Sequence, residues 1–259
     1  NGEGGILALY ALLRKMKRKW IYLLAIIGAS TLLADGIITP AITVTTAIEG
    51  LESISPHLPV IPITLGIITI IFFVQRFGTE SIGKSFGVFM LIWFLLLGVM
   101  GAFSITSYPL ILKAINPYYA IVLLAQSPEW FLILGAVFLC TTGAEALYSD
   151  LGHCGRKNIT ISWLFVKAML ILNYLGQGAW VLTHIQPASS VNPFFSIMPQ
   201  SMLIFAIIMA TGAAIVASQA LISGTFSILS EAMNLHFWPR MRIKHPTQVK
   251  GQLYIPVIN

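Results

Sequence analysis

Residues 20–49 read WIYLLAIIGASTLLADGIITPAITVTTAIE, and the only charged side chain before the final glutamate is Asp35. A helix needs about 20 consecutive, mostly apolar residues to cross the hydrocarbon core of a bilayer. This run exceeds that length, so it predicts a transmembrane helix that is tilted, kinked or extended beyond the bilayer.

The composition of the whole chain also indicates a membrane protein. Of the 259 residues, 57% are hydrophobic and 9% are charged, and the mean hydropathy is +0.85. A soluble domain carries about 25% charged residues, so this chain has too little polar surface to coat a soluble globule. The apolar segments are continuous rather than alternating, which favours helices over strands. We predict an all-α, polytopic helix bundle in one transmembrane domain (1–259), with spans near 20–49, 59–75, 86–106, 130–150, 160–183 and 200–235.

The basic residues predict an orientation, because cytoplasmic loops are enriched in Lys and Arg. The loops at 50–58, 107–129 and 184–199 hold only Lys113. The two chain ends and the other loops hold Arg14, Lys15, Lys17, Arg18, Lys19, Arg76, Lys84, Arg156, Lys157, Arg240, Arg242, Lys244 and Lys250. We therefore expect a multi-pass protein of the cell (inner or plasma) membrane with both chain ends in the cytoplasm. The net charge of +6 then reflects topology and attraction to anionic lipid rather than nucleic-acid binding.

Polar side chains in the middle of the first span predict a cation site. Asp35, Thr39 and Thr43 recur at every fourth residue, which places them on one helical face. Pro40 cannot donate a backbone hydrogen bond, so the carbonyl of Gly36 loses its helical donor. Carboxylate, hydroxyl and carbonyl oxygens are the ligands that hard cations prefer, potassium among them. The alternative is a Pro-kinked helix in which the threonines bond their own backbone and Asp35 faces a structural water.

A second polar group lies in the fourth span, where Thr141, Thr142 and Gly143 precede Glu145. These three residues weaken a helix, and broken helices in mid-membrane are where secondary transporters build ion sites. Two carboxylates near one cavity, Asp35 and Glu145, could serve as one ion ligand and one proton carrier. The alternative for Glu145 is an ion pair in a structural polar network. Lys167, in the fifth span, either reaches the interface or acts as a counter-ion.

Enzyme chemistry has no basis in this sequence. It contains no HExxH pair, nucleophile elbow or P-loop. Cys140 and Cys154 are the only cysteines, and their spacing forms neither a disulfide framework nor a zinc site. We therefore predict a protein that is not an enzyme and needs no cofactor. Because the chain begins at Asn1 without Met and ends in the apolar Ile255–Asn259, we also expect it to be part of a longer protein.

Several motifs together resemble one family, the KUP/HAK/KT potassium uptake proteins. The most specific is Asp35-Gly36-Ile37-Ile38-Thr39-Pro40-Ala41-Ile42, followed by Glu49-Gly50, which is similar to the family's D-G-x-x-T-P-A-I…E-G signature. Further matches run in family order from end to end: Asn1–Gly5, Gln75–Thr79, Gly143–Tyr148, Asn173–Gly178, Ala217–Ala220 and Gly251–Pro256.

The resemblance implies a LeuT-like (APC superfamily) fold of inverted five-helix repeats, incomplete in this chain, which would supply the third to eighth family helices. It implies inward potassium transport, coupled to protons in bacterial members, by alternating access. The family's ion-binding positions match Asp35, Thr39, Thr43, Thr142 and Glu145. Glu145 is the first choice for the coupling proton, and Asp35 is the second.

Other functions remain open on the residues alone. An amino-acid or polyamine transporter could use the same fold, and a cation channel could use the same polar groups. In a purely structural membrane subunit, the polar groups would have no role in transport. The partners implied are potassium ions, protons and membrane lipid, and a homodimer is compatible with the sequence. Nucleic acid is not an expected partner.

Overall fold

A computed structural model describes residues 5–16, 18–55, 57–76, 80–143, 156–184, 192–246 and 253–259. The regular secondary structure of this part of the chain is helical apart from one isolated pair of bridged residues near the end. The α-helices are α1 (Ile6–Leu13), α2 (Lys19–Glu49), α3 (Val60–Gln75), α4 (Glu80–Ser107), α5 (Pro117–Gln126), α6 (Trp130–Leu139), α7 (Arg156–Thr183), α8 (Pro193–Ser196) and α9 (Leu203–Asn234). Short 3-10 helices cover Arg14–Met16, Gly50–Ser53, Pro109–Ile115 and Gln200–Met202.

The long helices have the length and composition of membrane spans. Helix α2 has 31 residues and α9 has 32, so each is about 45–50 Å long at about 1.5 Å per residue, more than the roughly 30 Å of a hydrocarbon core. In the described residues, four helical segments are long and apolar enough to cross a membrane: Lys19–Ser53, Ser85–Ser107, Lys157–Thr183 and Gln200–Asn234. Helices α3 and α6 are apolar but shorter. The chain is thus an all-helical, membrane-integral protein.

The connection before α6 is more regular than its prolines suggest. Pro109 begins a 3-10 helix and Pro117 begins α5, and the two helices meet at 78°. Proline suits the first helical position because its missing N–H would have no partner there. Asn116 caps α5 by accepting a hydrogen bond from the N–H of Tyr118 at 3.0 Å. Counted as one bent span, this pair raises the number of candidate crossings in the described residues from four to five.

The chain folds as two compact units, and the first comprises Asn1–Phe89, Gly143–Ile159 and Met209–Asn259. Within it, α1 runs back along the start of α2. A side chain at Gly28 of α2 would overlap Ile6 of α1, while Tyr10 contacts Tyr22 with ring centroids 6.2 Å apart. A cluster of buried residues joins α1, α2 and α9 and consists of Leu7, Ala29, Ile228 and Ala232.

The end of the chain packs onto the same unit. Lys244 and Tyr254 exchange two backbone hydrogen bonds of 2.9 Å each. The Tyr254 ring contacts Phe226 of α9, and the neighbouring Ile255 is completely buried. Asn259 donates from its side-chain amide to the Phe72 carbonyl of α3 at 3.1 Å. These contacts fix the last described residues against α3 and α9.

The second unit comprises Met90–Thr142 and Thr160–Ile208. Its helices α4 and α7 cross at two glycines. A Cβ atom on Gly101 would lie 2.6 Å from the Asn173 Cα, and one on Gly176 would lie 2.5 Å from the Gly101 Cα. Ser104 of α4 donates to the Gly176 carbonyl of α7 at 2.7 Å. Small residues at helix contacts let backbones approach closely, which is how helices pack in a membrane without a hydrophobic driving force.

Candidate ion-binding site

Asp35 and Thr39 of α2 meet as the sequence spacing predicts. The Thr39 hydroxyl donates to Oδ1 of Asp35 at 2.5 Å, one helical turn away. The other carboxylate oxygen, Oδ2, is buried and has no hydrogen-bond partner among the described residues. Almost all buried polar atoms in native proteins are paired, so this oxygen requires an explanation. A bound cation would supply the missing interaction.

Thr43 lies one further turn along the same face, but its hydroxyl bonds the backbone. It donates to the Thr39 carbonyl at 2.8 Å and has a longer contact with the Pro40 carbonyl at 3.3 Å. The alternative of a Pro-kinked helix predicts that the threonines bond their own backbone. Thr43 does so, whereas Thr39 bonds the Asp35 side chain. A donating hydroxyl still has oxygen lone pairs, so Thr43 keeps the capacity to bind a cation.

Pro40 and Gly36 shape the backbone beside the carboxylate. Pro40 is buried inside α2 and has no N–H for the Gly36 carbonyl. Gly36 is also buried, and a Cβ atom there would overlap the Thr225 Oγ1 of α9. Thr225 is held by donating to the Leu221 carbonyl at 2.9 Å. The residue next to Asp35 is therefore a point of close approach between α2 and α9, which fixes the position of this stretch of α2.

Helix α6 stops inside the fourth apolar segment, where the Thr-Thr-Gly run predicts a break. It ends at Leu139, and the next N–H groups bond three residues back: Cys140 to Val137 at 3.1 Å and Thr141 to Phe138 at 2.9 Å. Gly143 then has a φ of 100°. Glycine adopts this region at little cost because it has no Cβ. The backbone thus leaves the helical path at Gly143.

Tyr174 of α7 bonds one of the carbonyls that this break exposes. Its hydroxyl donates to the Cys140 carbonyl at 3.0 Å. The last carbonyls of a helix have no intrahelical donor, so they need another partner. Tyr174 therefore fastens the end of α6 to α7 within the second unit.

The predicted site residues are distributed unevenly over the described structure. Asp35, Thr39 and Thr43 belong to the first unit, and a side-chain hydrogen bond joins Asp35 and Thr39. Thr142, half-buried, belongs to the second unit, where it follows the end of α6. Glu145 lies outside the described residues.

The structure also identifies buried oxygens beyond those that the sequence analysis assigned to the ion site. Thr64 Oγ1 and Gln75 Oε1 in α3, and Gln219 Oε1 in α9, are buried without a hydrogen-bond partner among the described residues. All three atoms belong to the first unit, as does Asp35. The signal that could have identified them is a polar residue within an apolar span, but the sequence does not show which way such a side chain faces.

Lys167 of α7 is exposed, and its ammonium lies 5.3 Å from the centre of the Trp163 ring. Trp163 is one turn closer to the start of α7. No carboxylate among the described residues pairs with Lys167. The cation–π contact is typical of a lysine that lies along its own helix toward the interface, so it favours this role over that of a counter-ion.

Comparisons with known proteins place these features in a family. The chain matches the K+ potassium transporter integral membrane domain over residues 1–259. It is 53% identical to the "Probable potassium transport system protein Kup" of Flavobacterium psychrophilum, 55% identical to that of Flavobacterium johnsoniae, and 54% identical to that of Latilactobacillus sakei. In each case the whole chain is matched, and it spans 40–41% of the length of these curated relatives. No solved structure matches the chain.

Proposed function

The chain belongs to the K+ potassium transporter family, and on that premise we propose that it is part of a protein that takes up potassium across the cell membrane. The proposed mechanism is K+/H+ symport by alternating access. Potassium is the cargo, and the proton gradient supplies the driving force. A transporter needs no covalent chemistry, in agreement with the absence of enzyme motifs in the sequence.

The observation that carries the proposal is the buried, unpartnered Oδ2 of Asp35. Along the same helix, α2 also offers the hydroxyl oxygens of Thr39 and Thr43 and the carbonyl of Gly36, which Pro40 leaves without a helical donor. Oxygen atoms of these kinds replace the hydration shell of potassium in proteins. A charged group inside a membrane is costly, at least about 2.5 kcal/mol, so an aspartate within a membrane span is favoured where it has a function.

Thr142 and Glu145 are the proposed ligands on the other side of the ion, with Glu145 as the first choice for the coupling proton. The break at the end of α6 supports this proposal, because unwound backbone is where secondary transporters bind ions.

The test is rubidium uptake at several pH values by the Glu145→Gln variant of the intact protein. Uptake that no longer depends on pH is expected. Glu129→Gln, at the other end of α6 and exposed, is the control that keeps the pH dependence. A Glu145→Gln variant with unchanged pH dependence would transfer the role to Asp35.

The proposed fold is the LeuT-like inverted repeat, with this chain as the third to eighth helices. Two features support this fold. Helix α6 stops within an apolar segment, and α5 forms a bent pair with the 3-10 helix that precedes it. Discontinuous helices are characteristic of such transporters. An experimental structure of the intact protein should show two five-helix repeats related by a pseudo-two-fold axis in the membrane plane. Repeats related by an axis along the membrane normal would contradict this fold.

The proposed orientation has both ends of the chain in the cytoplasm. It rests on the alternation of Lys and Arg along the chain. In a variant without the native cysteines, Lys113→Cys should react with a membrane-impermeant maleimide in intact cells, and Lys244→Cys only after permeabilisation. The reverse pattern would invert the topology.

The decisive experiment is growth of a potassium-transport-deficient host at limiting potassium. The intact protein should restore growth, and its Asp35→Asn variant should not, because the amide keeps the shape but removes the negative charge. Glu49→Gln is the matched control, since Glu49 is exposed at the end of the same helix. Growth with Asp35→Asn equal to wild type would contradict the ion-binding role.

Measurements of rubidium uptake distinguish the alternative functions. Inhibition of rubidium uptake by amino acids or polyamines would favour an organic substrate, and non-saturating, pH-independent uptake would favour a channel.

A further inference from the structure

A basic pocket lies at the turn between α1 and α2, away from the proposed ion site. It has a volume of about 300 Å³. Three cationic side chains line it: Arg14, Arg18 and Lys19. Among the described residues, none of the three has an ion-pair partner, and no acidic side chain lines the pocket. The hydroxyl groups of Tyr10 and Tyr22, which also line it, have no hydrogen-bond partner in the described part of the chain.

The inner side of the pocket is packed against neighbouring side chains. Leu13 and Ile21 complete the lining, and Ile21 is only 7% exposed. The rings of Tyr10 and Tyr22 both contact Phe237, with centroids 5.2 Å apart in each case. These three rings form a triangle that fixes the two tyrosines before any ligand binds, so little side-chain entropy is lost on binding.

We propose that this pocket binds the phosphate group of an anionic phospholipid. Arginine presents several donors in a planar fork that matches phosphate oxygens, and the lysine adds a point charge. The two tyrosine hydroxyls can donate to the remaining oxygens. Positive charge without a protein partner favours an anionic ligand, and the cytoplasmic membrane surface, where the proposed orientation places this turn, supplies one.

The surface around the pocket favours a lipid over free phosphate, which has the same oxyanion chemistry. Both helix segments that form the pocket present large apolar side chains that are more than half exposed: Leu9, Leu12, Met16, Trp20, Leu23 and Leu24. A phosphate ion would need only the cations. A phospholipid also needs apolar surface for its acyl chains, and a tryptophan at the level of the headgroups suits that depth.

The test measures lipid retained by the intact protein, purified and exchanged into nanodiscs, by native mass spectrometry. Phosphatidylglycerol should be retained in preference to phosphatidylcholine. Replacing all three cations (Arg14→Gln, Arg18→Gln, Lys19→Gln) should lower the affinity for phosphatidylglycerol about tenfold or more, because the charge-assisted hydrogen bonds from the pocket to the phosphate are lost. The matched control removes three exposed cations elsewhere (Arg240→Gln, Arg242→Gln, Lys244→Gln) and should leave retention unchanged.

A second variant controls for altered membrane insertion, because the loss of cations from a loop can change the topology of a membrane protein. Arg14→Lys with Arg18→Lys keeps the charge but removes the planar forks, so it should insert normally and still lose several-fold affinity. Equal losses in the triple variant and its control would show that net charge alone attracts lipid and would overturn the proposal. Displacement of phosphatidylglycerol by millimolar inorganic phosphate would reassign the pocket to free phosphate. None of these measurements depends on potassium transport, so they fail or succeed independently of the proposed function.

Discussion

The apolar segments that contain α2 and α6 are each interrupted by polar atoms, but in opposite ways. Helix α2 continues through Pro40 for its full 31 residues, and its polar atoms are side chains on an unbroken helix. Helix α6 ends after 10 residues, and Gly143 takes the backbone out of the helical path. One segment therefore presents a carboxylate and hydroxyls, whereas the other presents main-chain carbonyls.

The difference shows how each polar group is held. In α2, the Thr39 side chain, one turn away, orients the Asp35 carboxylate. Helix α9 packs closely against α2 at Gly36. In α6, the exposed Cys140 carbonyl is bonded by Tyr174 of another helix. The bond that orients the carboxylate thus lies within the continuous helix α2, whereas the bond to the exposed carbonyl of α6 comes from another helix. Four substitutions test this contrast.

The largest expected effect comes from Pro40→Ala. An alanine restores an N–H donor to the Gly36 carbonyl, so the free energy of unfolding should rise by up to about 3 kcal/mol. Rubidium uptake should fall, because the same carbonyl is then unavailable to an ion. Thermal unfolding in detergent and an uptake assay measure the two changes. Pro62→Ala is the control: Pro62 lies in the first turn of α3, where the N–H groups have no helical acceptor. A more stable Pro40→Ala protein with full uptake would exclude the carbonyl as a ligand.

Gly36→Ala should destabilise the protein by about 1–3 kcal/mol, because the added Cβ overlaps Thr225 and overpacking has this cost. Gly66→Ala in α3 should have little effect on packing, because its Cβ would meet no atom within 4 Å. The double variant Gly36→Ala with Thr225→Ala should recover most of the loss, as measured by thermal unfolding. Without such recovery, the close approach of α2 and α9 would not be the cause.

Gly143→Ala should cost about 1–2 kcal/mol, because an L-residue is strained at a positive φ. The control is Gly135→Ala within α6, where a Cβ meets open space and helix propensity predicts a gain of about 1 kcal/mol. The two variants should therefore shift the unfolding temperature in opposite directions. Equal shifts would mean that the break in α6 is not maintained by the glycine.

The smallest expected effect is that of Tyr174→Phe, which removes the bond to the Cys140 carbonyl. Hydrogen bonds between helices in membranes average about 0.6 kcal/mol, so the change in unfolding free energy should be of that order. Tyr118→Phe, an exposed tyrosine of α5, is the control. If Tyr174→Phe also lowers rubidium uptake while stability changes little, the bond positions the broken end of α6 for transport.

The long helices could be predicted from the sequence because length and hydropathy decide where a chain can cross a lipid layer. Residues 20–49 and 59–75 correspond closely to Lys19–Glu49 and Val60–Gln75. The break after Leu139 was also predictable, since Thr-Thr-Gly has low helix propensity. The regular structure over Pro109–Ile115 and α5 was not, because a proline indicates an interruption or a helix start equally well.

Part of the candidate site was predictable, and part was not. The spacing of Asp35 and Thr39 was enough to place them together, because residues four apart share a helical face. The same spacing does not decide whether a threonine hydroxyl turns to a side chain or to its own backbone, and Thr43 does the latter. The close approach of Gly36 to Thr225 joins positions far apart in the sequence. Such a contact depends on tertiary packing, which no local pattern records.

The crossing of α4 and α7 has a mechanical consequence. Where Gly101 faces Gly176, main chain meets main chain, and no side-chain rotamers are present that could repack during sliding. The Ser104 hydroxyl ties the two helices in one register. Shear between packed helices relies on small side-chain adjustments, so this pair lacks the means to move that way. In any conformational cycle, the paired segments of α4 and α7 around this crossing should travel together as one stiff element, and any bending should occur at its ends.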